Sequence, residues 1–129
     1  MARRNVGTRS VGLTPIALAL ALTLSPVVAS DRDSDRASRA SRGYFAALPQ
    51  VWQKLALCES SSTIPRLNLR AKSPSGEHIG VWQLHKGFYK AQGVDWRTAT
   101  IQQQWQVAQY VYNRQGARAW SCARKAGLK

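Results

Sequence analysis

One carboxyl group stands out in a strongly basic chain. The 129 residues carry a formal net charge of +13, and from residue 43 onwards twelve lysines and arginines face three acidic side chains. These three are Glu59, Glu77 and Asp95, and Glu59 directly follows the apolar run Leu55-Ala56-Leu57-Cys58. A reaction that needs a carboxyl group as proton donor therefore has few candidates here, and Glu59 is the first.

A helix is predicted to carry Glu59. Pro49 suits a first helical turn, and apolar residues follow it at spacings of three and four, namely Val51, Trp52, Leu55 and Ala56. Glu59 continues this apolar face near the end of the helix. Apolar neighbours and the negative end of the helix dipole both favour a protonated carboxyl group, which is the form that a general acid needs.

A small β-hairpin is predicted after this helix, between Ser60 and Gln83. The helical period disappears there: Leu67-Asn68-Leu69-Arg70 alternates, Ser73-Pro74-Ser75-Gly76 is typical of a turn, and Ile79-Gly80-Val81-Trp82 is apolar.

Two further helices are predicted towards the C-terminus. A short one over residues 84–92 ends at Gly93, and a long one begins at a capping box formed by Thr100 and Gln103 and ends at Gly116. Its predicted apolar face comprises Ile101, Trp105, Ala108, Val111 and Tyr112. The predicted fold class is therefore α+β, mostly helical with one small hairpin.

The N-terminus predicts export. Three arginines precede an apolar core at Leu13–Leu24, and small residues end at Ala29, so residues 1–29 are predicted to be a cleaved signal peptide. The apolar core is too short for a stable membrane anchor. Residues 30–43 are charged and nearly devoid of apolar side chains, which predicts a flexible linker. One domain is predicted over residues 44–129.

The two cysteines, Cys58 and Cys122, are predicted to form a disulfide because an exported chain reaches an oxidising compartment. Closing this loop would stabilise the fold by about 4 kcal/mol on the chain-entropy estimate. The alternative is a pair of buried free thiols.

The basic charge has several readings. Nucleic-acid binding is disfavoured by export, by the scatter of lysines and arginines, and by the absence of a recognised motif. A basic surface attracts anionic polymers in general, so anionic cell-wall polymers are candidate partners. His78 and His85 have no cysteine or clustered acid at ligand spacing, so neither a metal site nor a cofactor is predicted.

A lone acid restricts the chemistry. Cleavage of a glycosidic bond needs a protonated carboxyl group and ordinarily a second carboxylate. The spacing of Glu77 and Asp95 places neither opposite Glu59. Some glycosidases avoid the second carboxylate because a group on the sugar substrate attacks instead.

Several segments, in order, resemble the resuscitation-promoting factor domain. They are Trp52 to Ser60 (WQKLALCES), Ile79 to Leu84 (IGVWQL), Gln103 to Ala108 (QQWQVA), Gln115-Gly116, Ala119-Trp120 and Cys122. These secreted actinobacterial proteins have a lysozyme-like fold related to soluble lytic transglycosylases. The resemblance therefore implies a lysozyme-like catalytic domain that cleaves peptidoglycan glycan strands during cell-wall remodelling or resuscitation.

The resemblance also implies residue roles. Glu59 becomes the catalytic acid/base and Gln83 a substrate-binding residue of the cleft. Tyr89 falls where the family usually has a tryptophan, which makes it a second substrate-binding candidate. Tyr112-Asn113 followed by Gly116 is similar to a Tyr-Asn-Ala-Gly element whose tyrosine faces the active site. The alternative for Tyr112 is a core tyrosine on the apolar face of its helix.

The chain departs from the family pattern just after the acid. Where the family commonly has Glu-Ser-Gly-Gly-Asn-Trp, this chain has Glu59 to Ile64 as Glu-Ser-Ser-Ser-Thr-Ile. The expected function is a secreted or cell-wall-associated peptidoglycan glycosidase or lytic transglycosylase, active as a monomer. The alternative is a non-catalytic peptidoglycan-binding or signalling module with the same fold.

Overall fold

A computed structural model describes residue 12 and residues 27–129 of the chain. The described part contains five α-helices, one 3₁₀ helix and one two-stranded sheet: α1 (Val27–Ala46), α2 (Gln50–Ser60), β1 (His78–Ile79), β2 (Leu84–His85), α3 (Lys86–Ala91), α4 (Ile101–Gln115), the 3₁₀ helix (Ala117–Ala119) and α5 (Ala123–Ala126). The predicted α+β class, mostly helical with a small antiparallel sheet, is confirmed. The signal-peptide prediction lies almost entirely outside the described residues.

Tryptophans connect the segments of the core. Trp52 of α2 packs edge-on against Trp105 and Trp120, with ring centroids 5.2 and 5.3 Å away. The buried indole of Trp82 donates to the Trp52 carbonyl oxygen at 3.0 Å, and that of Trp120 donates to the Trp82 carbonyl oxygen at 2.9 Å. A buried N–H without a partner would be costly, so these bonds help to fix α2, the hairpin and the tail relative to one another.

The long helix α4 begins and ends as predicted. Thr100 Oγ1 accepts from the Gln103 backbone N–H, and Gln103 Oε1 accepts from the Thr100 backbone N–H, which completes the capping box. Gly116 follows the helix with a φ of 70°, a conformation that favours glycine. The buried residues of α4 are Ile101, Gln104, Val107, Ala108 and Val111.

The hairpin is shorter than predicted and lies further along the chain. Its strands pair His78 with His85 and Ile79 with Leu84. The predicted turn at Ser73 to Gly76 is present, but the segments on its two sides pair only through an isolated bridge between Lys72 and Ile79. Leu67-Asn68-Leu69-Arg70 is not a strand, because its backbone groups form hydrogen bonds with side chains rather than with a neighbouring strand. The Leu69 carbonyl oxygen, for example, accepts from the Gln104 amide at 2.9 Å.

Residues 30–43, for which the composition predicts a flexible linker, lie within α1. Residues 31–40 of this helix are exposed, but its end is anchored because Phe45 is fully buried and lies 6.1 Å from the Trp82 ring. Alanine and arginine in the exposed turns are good helix formers. The composition argument overlooked the apolar anchor that follows the charged segment. None of the helices in residues 27–129 is both long and apolar enough for a membrane span.

Candidate active site

A cleft of about 460 Å³ opens beside the C-terminal end of α2. We call its two sides the acid wall, formed by Glu59, Trp120 and Ser121, and the loop wall, formed by Ala71, Lys72, Ser73, Pro74, His78 and Gln83. Helix α2 supplies the acid, the segment before α5 supplies the rest of the acid wall, and the hairpin region supplies the loop wall. The structure therefore brings Glu59 and Gln83, two of the predicted site residues, to one cleft.

Glu59 is half-buried in the last turn of α2, on the same helix as the buried Trp52 and Leu55. Its Oε1 accepts two hydrogen bonds, from the Cys122 backbone N–H at 2.8 Å and from the Ser121 hydroxyl at 3.1 Å. An oxygen that already accepts two donors is a poor place for a proton. The geometry therefore leaves Oε2 as the oxygen that would carry the acidic proton.

The predicted disulfide between Cys58 and Cys122 is confirmed, with the two Cα atoms 6.1 Å apart. It joins the last turn of α2 to the residue that precedes α5. Cys122 is both half of this covalent bond and the donor to Glu59. The bridge therefore holds the acid and its backbone donor against each other.

Gln83 reaches the cleft from the turn between β1 and β2. Its side-chain Nε2 donates to the Ala71 carbonyl oxygen at 3.0 Å and to the Gly80 carbonyl oxygen at 2.8 Å. These two bonds use both amide hydrogens and fix the orientation of the side chain. The side-chain oxygen Oε1 is consequently the atom that Gln83 can offer to a ligand.

Ser61 and Gln83 share an unusual backbone conformation. Their φ angles are 53° and 48°, and they are the two non-glycine residues with positive φ in the described part of the chain. Ser61 ends α2 at the position where the resuscitation-promoting factor pattern commonly has a glycine. A left-handed conformation costs a residue with a Cβ atom about 1 kcal/mol. Both residues line the cleft, so backbone strain is concentrated there.

Tyr89 does not reach the cleft. Its side chain is fully buried, and its hydroxyl donates to the Ile79 carbonyl oxygen at 2.9 Å. Burial raises the pKa of the Tyr89 hydroxyl well above its ordinary value, partly offset by Arg70. The short helix α3 uses this aromatic ring to fill the core, so the position of Tyr89 does not support the predicted sugar contact.

Tyr112 also lies outside the residues that line the cleft. Its half-buried ring packs edge-on against Trp52 at 5.3 Å, and its hydroxyl donates to the Lys129 carbonyl oxygen at 2.6 Å. This position fits the alternative reading of a core tyrosine better than a substrate contact.

Glu59 is the one carboxylate among the described residues that line the cleft. Glu77 is exposed, with its Oε2 3.6 Å from His85 Nε2. Asp95 accepts from the Arg97 backbone N–H at 2.9 Å on another part of the surface. In residues 27–129 no cluster of three histidine, cysteine or acidic side chains is arranged to hold a metal ion.

Sequence reasoning missed Ser121, Lys72 and His78 as cleft residues. A signal for Ser121 was available, because Ser121 precedes one bridged cysteine and Glu59 follows the other. Joining the cysteines must bring their neighbours close together. Lys72 and His78 carried no such signal, since the hairpin was predicted between Ser60 and Gln83, whereas its strands lie at His78–Ile79 and Leu84–His85.

A comparison with protein-family models matches residues 46–123 to the transglycosylase-like domain. The match covers more than half of the chain and includes Glu59, Gln83 and both cysteines. Neither a curated protein nor a solved structure gives a significant match.

Proposed function

The chain belongs to the transglycosylase-like domain family, and we propose that it cleaves the β-1,4 bond between N-acetylmuramic acid and N-acetylglucosamine in peptidoglycan. Family membership, expected from the resemblance to resuscitation-promoting factor domains, supports a glycan-cleaving enzyme with peptidoglycan as its substrate class. The proposal for this particular bond depends on the position of Glu59. It is a single carboxyl group in an open cleft, and one of its oxygens accepts two hydrogen bonds.

In the first step, Glu59 protonates the glycosidic oxygen. The proton leaves Oε2, the bond from that oxygen to the muramoyl C1 breaks, and positive charge develops on the sugar ring. The carboxylate that remains is stabilised by the hydrogen bonds from Ser121 and Cys122 to Oε1. These donors are in place before the reaction, so the charge on Glu59 develops without reorganisation of the protein.

In the second step, the Glu59 carboxylate acts as a base. It removes a proton either from water, which gives hydrolysis, or from the muramoyl 6-hydroxyl, whose oxygen then bonds to C1 and gives a 1,6-anhydro product. The presence of one carboxylate among the described cleft residues supports a mechanism whose nucleophile comes from the substrate or from water. No covalent enzyme intermediate is needed.

Gln83 is assigned to substrate binding. Because its amide hydrogens already bond to backbone carbonyls, its Oε1 would accept a hydrogen bond from a sugar hydroxyl or an acetamido N–H. The fixed orientation limits the entropy lost when a sugar binds.

A secreted or wall-associated location completes the proposal. The disulfide and the family both support an extracellular protein. We retain residues 1–29 as a signal peptide, and the family match beginning at residue 46 supports a domain that starts close to residue 44.

The test is digestion of purified peptidoglycan by the wild-type protein, by Glu59→Gln and by Glu77→Gln as a matched control. We expect Glu59→Gln to release fragments about a thousandfold more slowly, because general acid/base catalysis contributes on that order. Glu77→Gln removes an exposed carboxylate outside the cleft lining and should keep the wild-type rate. Mass analysis of fragment ends distinguishes anhydro products from reducing ends.

Two outcomes would decide against this function. Equal release by the wild-type protein and Glu59→Gln would remove the catalytic role of Glu59. Binding to peptidoglycan without fragment release by the wild-type protein would favour the non-catalytic binding module instead, to which the altered Ser61 to Ile64 loop points.

A further inference from the structure

A second surface lies around Trp96, outside the acid wall. Three cationic groups lie over the ring of this half-buried tryptophan: Lys86 Nζ is 4.5 Å from the ring centroid, Arg97 Cζ 4.6 Å and Lys72 Nζ 5.4 Å. The ring borders a depression of about 470 Å³, which Lys86, Lys90 and Arg97 also line. We call Lys72, Lys86, Lys90, Trp96 and Arg97 the Trp96 surface.

Positive charge on the Trp96 surface exceeds the negative charge beside it. Asp95 is the one acidic side chain that lines the depression, and it lies 3.6 Å from the Arg97 guanidinium. The ammonium groups of Lys72, Lys86 and Lys90 have no carboxylate within salt-bridge distance in residues 27–129. Like charges held around one ring repel each other, and an anionic ligand would relieve this repulsion.

Lys72 connects the Trp96 surface to the cleft. It contacts the Trp96 ring and also belongs to the loop wall opposite Glu59. A ligand that extends from the cleft past Lys72 therefore reaches the Trp96 surface directly. This continuity favours an anionic group that is carried by the bound glycan over a separate polymer.

We propose that the Trp96 surface binds the carboxylates of the peptidoglycan stem peptide on the strand whose glycan occupies the cleft. The proposal rests on the proposed function, since it takes peptidoglycan as the substrate. Stem peptides are attached to the muramoyl sugars, so they leave the glycan close to the bond that Glu59 would cleave. The lysines and Arg97 bind the peptide carboxylates, and the Trp96 ring contacts its aliphatic parts.

The experiment measures binding to labelled glycan strands in the Glu59→Gln background, which should prevent cleavage. One preparation carries uncrosslinked stem peptides, and the other is the same material after an amidase has hydrolysed the bond between the peptide and the muramoyl lactyl group, which removes the peptide carboxylates and leaves one lactyl carboxylate on the sugar. We expect the parent protein to bind the peptide-bearing strands about tenfold more tightly. Lys86→Glu combined with Lys90→Glu should abolish this preference and leave binding to bare strands unchanged.

Arg114→Glu is the matched control. Arg114 is exposed and lies over the Tyr110 ring at 5.3 Å, so the variant reverses one charge and disturbs one cation–aromatic contact elsewhere. It should retain the preference for peptide-bearing strands. Circular dichroism and thermal unfolding of each variant would establish that the fold is intact.

Three results would overturn the proposal. The first is equal binding of both strand preparations by the parent protein, and the second is an undiminished preference in the Lys86 and Lys90 variant. The third is a loss of binding by that variant to cell walls that retain phosphodiester polymers, with no loss of binding to walls without them. That result would assign the surface to phosphate groups. Failure of the proposed function is read separately, from fragment release by proteins with an intact Glu59.

Discussion

The acid wall and the loop wall of the cleft are held in place by different forces. On the acid wall, the disulfide and two hydrogen bonds position Glu59. The buried indole of Trp120 donates a hydrogen bond to the Trp82 carbonyl oxygen. On the loop wall, the strands are two residues long, and isolated bridges at Thr63 with Arg66 and at Lys72 with Ile79 supply the other strand-like pairing.

A buried polar side chain instead holds the backbone on both sides of the loop wall. Gln104 is fully buried in α4, where its Oε1 accepts from the Val81 backbone N–H at 3.0 Å and its Nε2 donates to the Leu69 carbonyl oxygen. The difference suits two tasks. Under the proposed function, a proton donor must be placed accurately, whereas the side proposed to hold the sugar is built from loops, which tolerate sequence change.

Removing the disulfide should have the largest effect and should act on the acid wall. We expect Cys58→Ser combined with Cys122→Ser to lower the free energy of unfolding by about 4 kcal/mol, because the bridge closes a long loop. Urea unfolding measures the loss. Peptidoglycan cleavage should fall even where the protein stays folded, because the Cys122 N–H is released from Glu59. A stable variant with the full rate would show that the acid wall does not need the bridge.

Gln104→Leu should have the next largest effect and should act on the loop wall. Leucine fills the space but leaves the Val81 N–H without its partner and removes one of the two donors to the Leu69 carbonyl oxygen, the other being Arg70 Nη1, which costs about 2 kcal/mol in total. Because the loop wall carries Gln83, the KM for peptidoglycan should rise more than kcat falls. Urea unfolding and steady-state kinetics measure both effects.

The control for Gln104→Leu is Gln106→Leu on the same helix, where the side chain is exposed and bonds to Gln92 at 3.3 Å. It should change stability by less than about 0.5 kcal/mol. Equal effects of the two substitutions would refute the idea that one buried amide supports the loop wall.

Ser61→Gly should have the smallest effect, and it should be stabilising. Glycine adopts the left-handed conformation at φ 53° without the Cβ penalty, which raises the free energy of unfolding by about 1 kcal/mol. The greater conformational entropy of glycine in the unfolded chain offsets part of this gain. Thermal unfolding measures the gain. Ser62→Gly is the comparison and should lose stability on the same change, since Ser62 lacks a positive φ and its Oγ accepts from the Ser60 hydroxyl and the Asn68 backbone N–H. A loss of stability in Ser61→Gly would show that the serine side chain matters more than the strain.

Much of the acid wall was predictable because its determinants are local or covalent. Helical spacing predicted α2, and two cysteines in a chain predicted to be exported indicated the bridge, which together place Glu59. The capping box at Thr100 likewise gave the start of α4 correctly. Each of these signals acts within a few residues or through one bond.

The loop wall was less predictable because its determinants are distant in sequence. The Leu69 carbonyl bonds to Gln104, 35 residues away, and nothing in the alternation of residues 67–70 indicates that. Tyr89 illustrates the same limit. Its position in the family pattern indicated the cleft, but whether an aromatic ring faces solvent or core depends on the packing of α3, which the pattern does not contain.

Glu59 and the Cys122 N–H that holds it are separated by 63 residues in the chain. During synthesis the acid is therefore made before its partner, and no short segment of the chain contains both. The acid wall is therefore completed only when the two thiols are oxidised, which a reducing compartment prevents. We expect a reduced sample to cleave peptidoglycan slowly and to gain its rate in parallel with disulfide formation, which would tie the onset of activity to the arrival of the protein outside the cell.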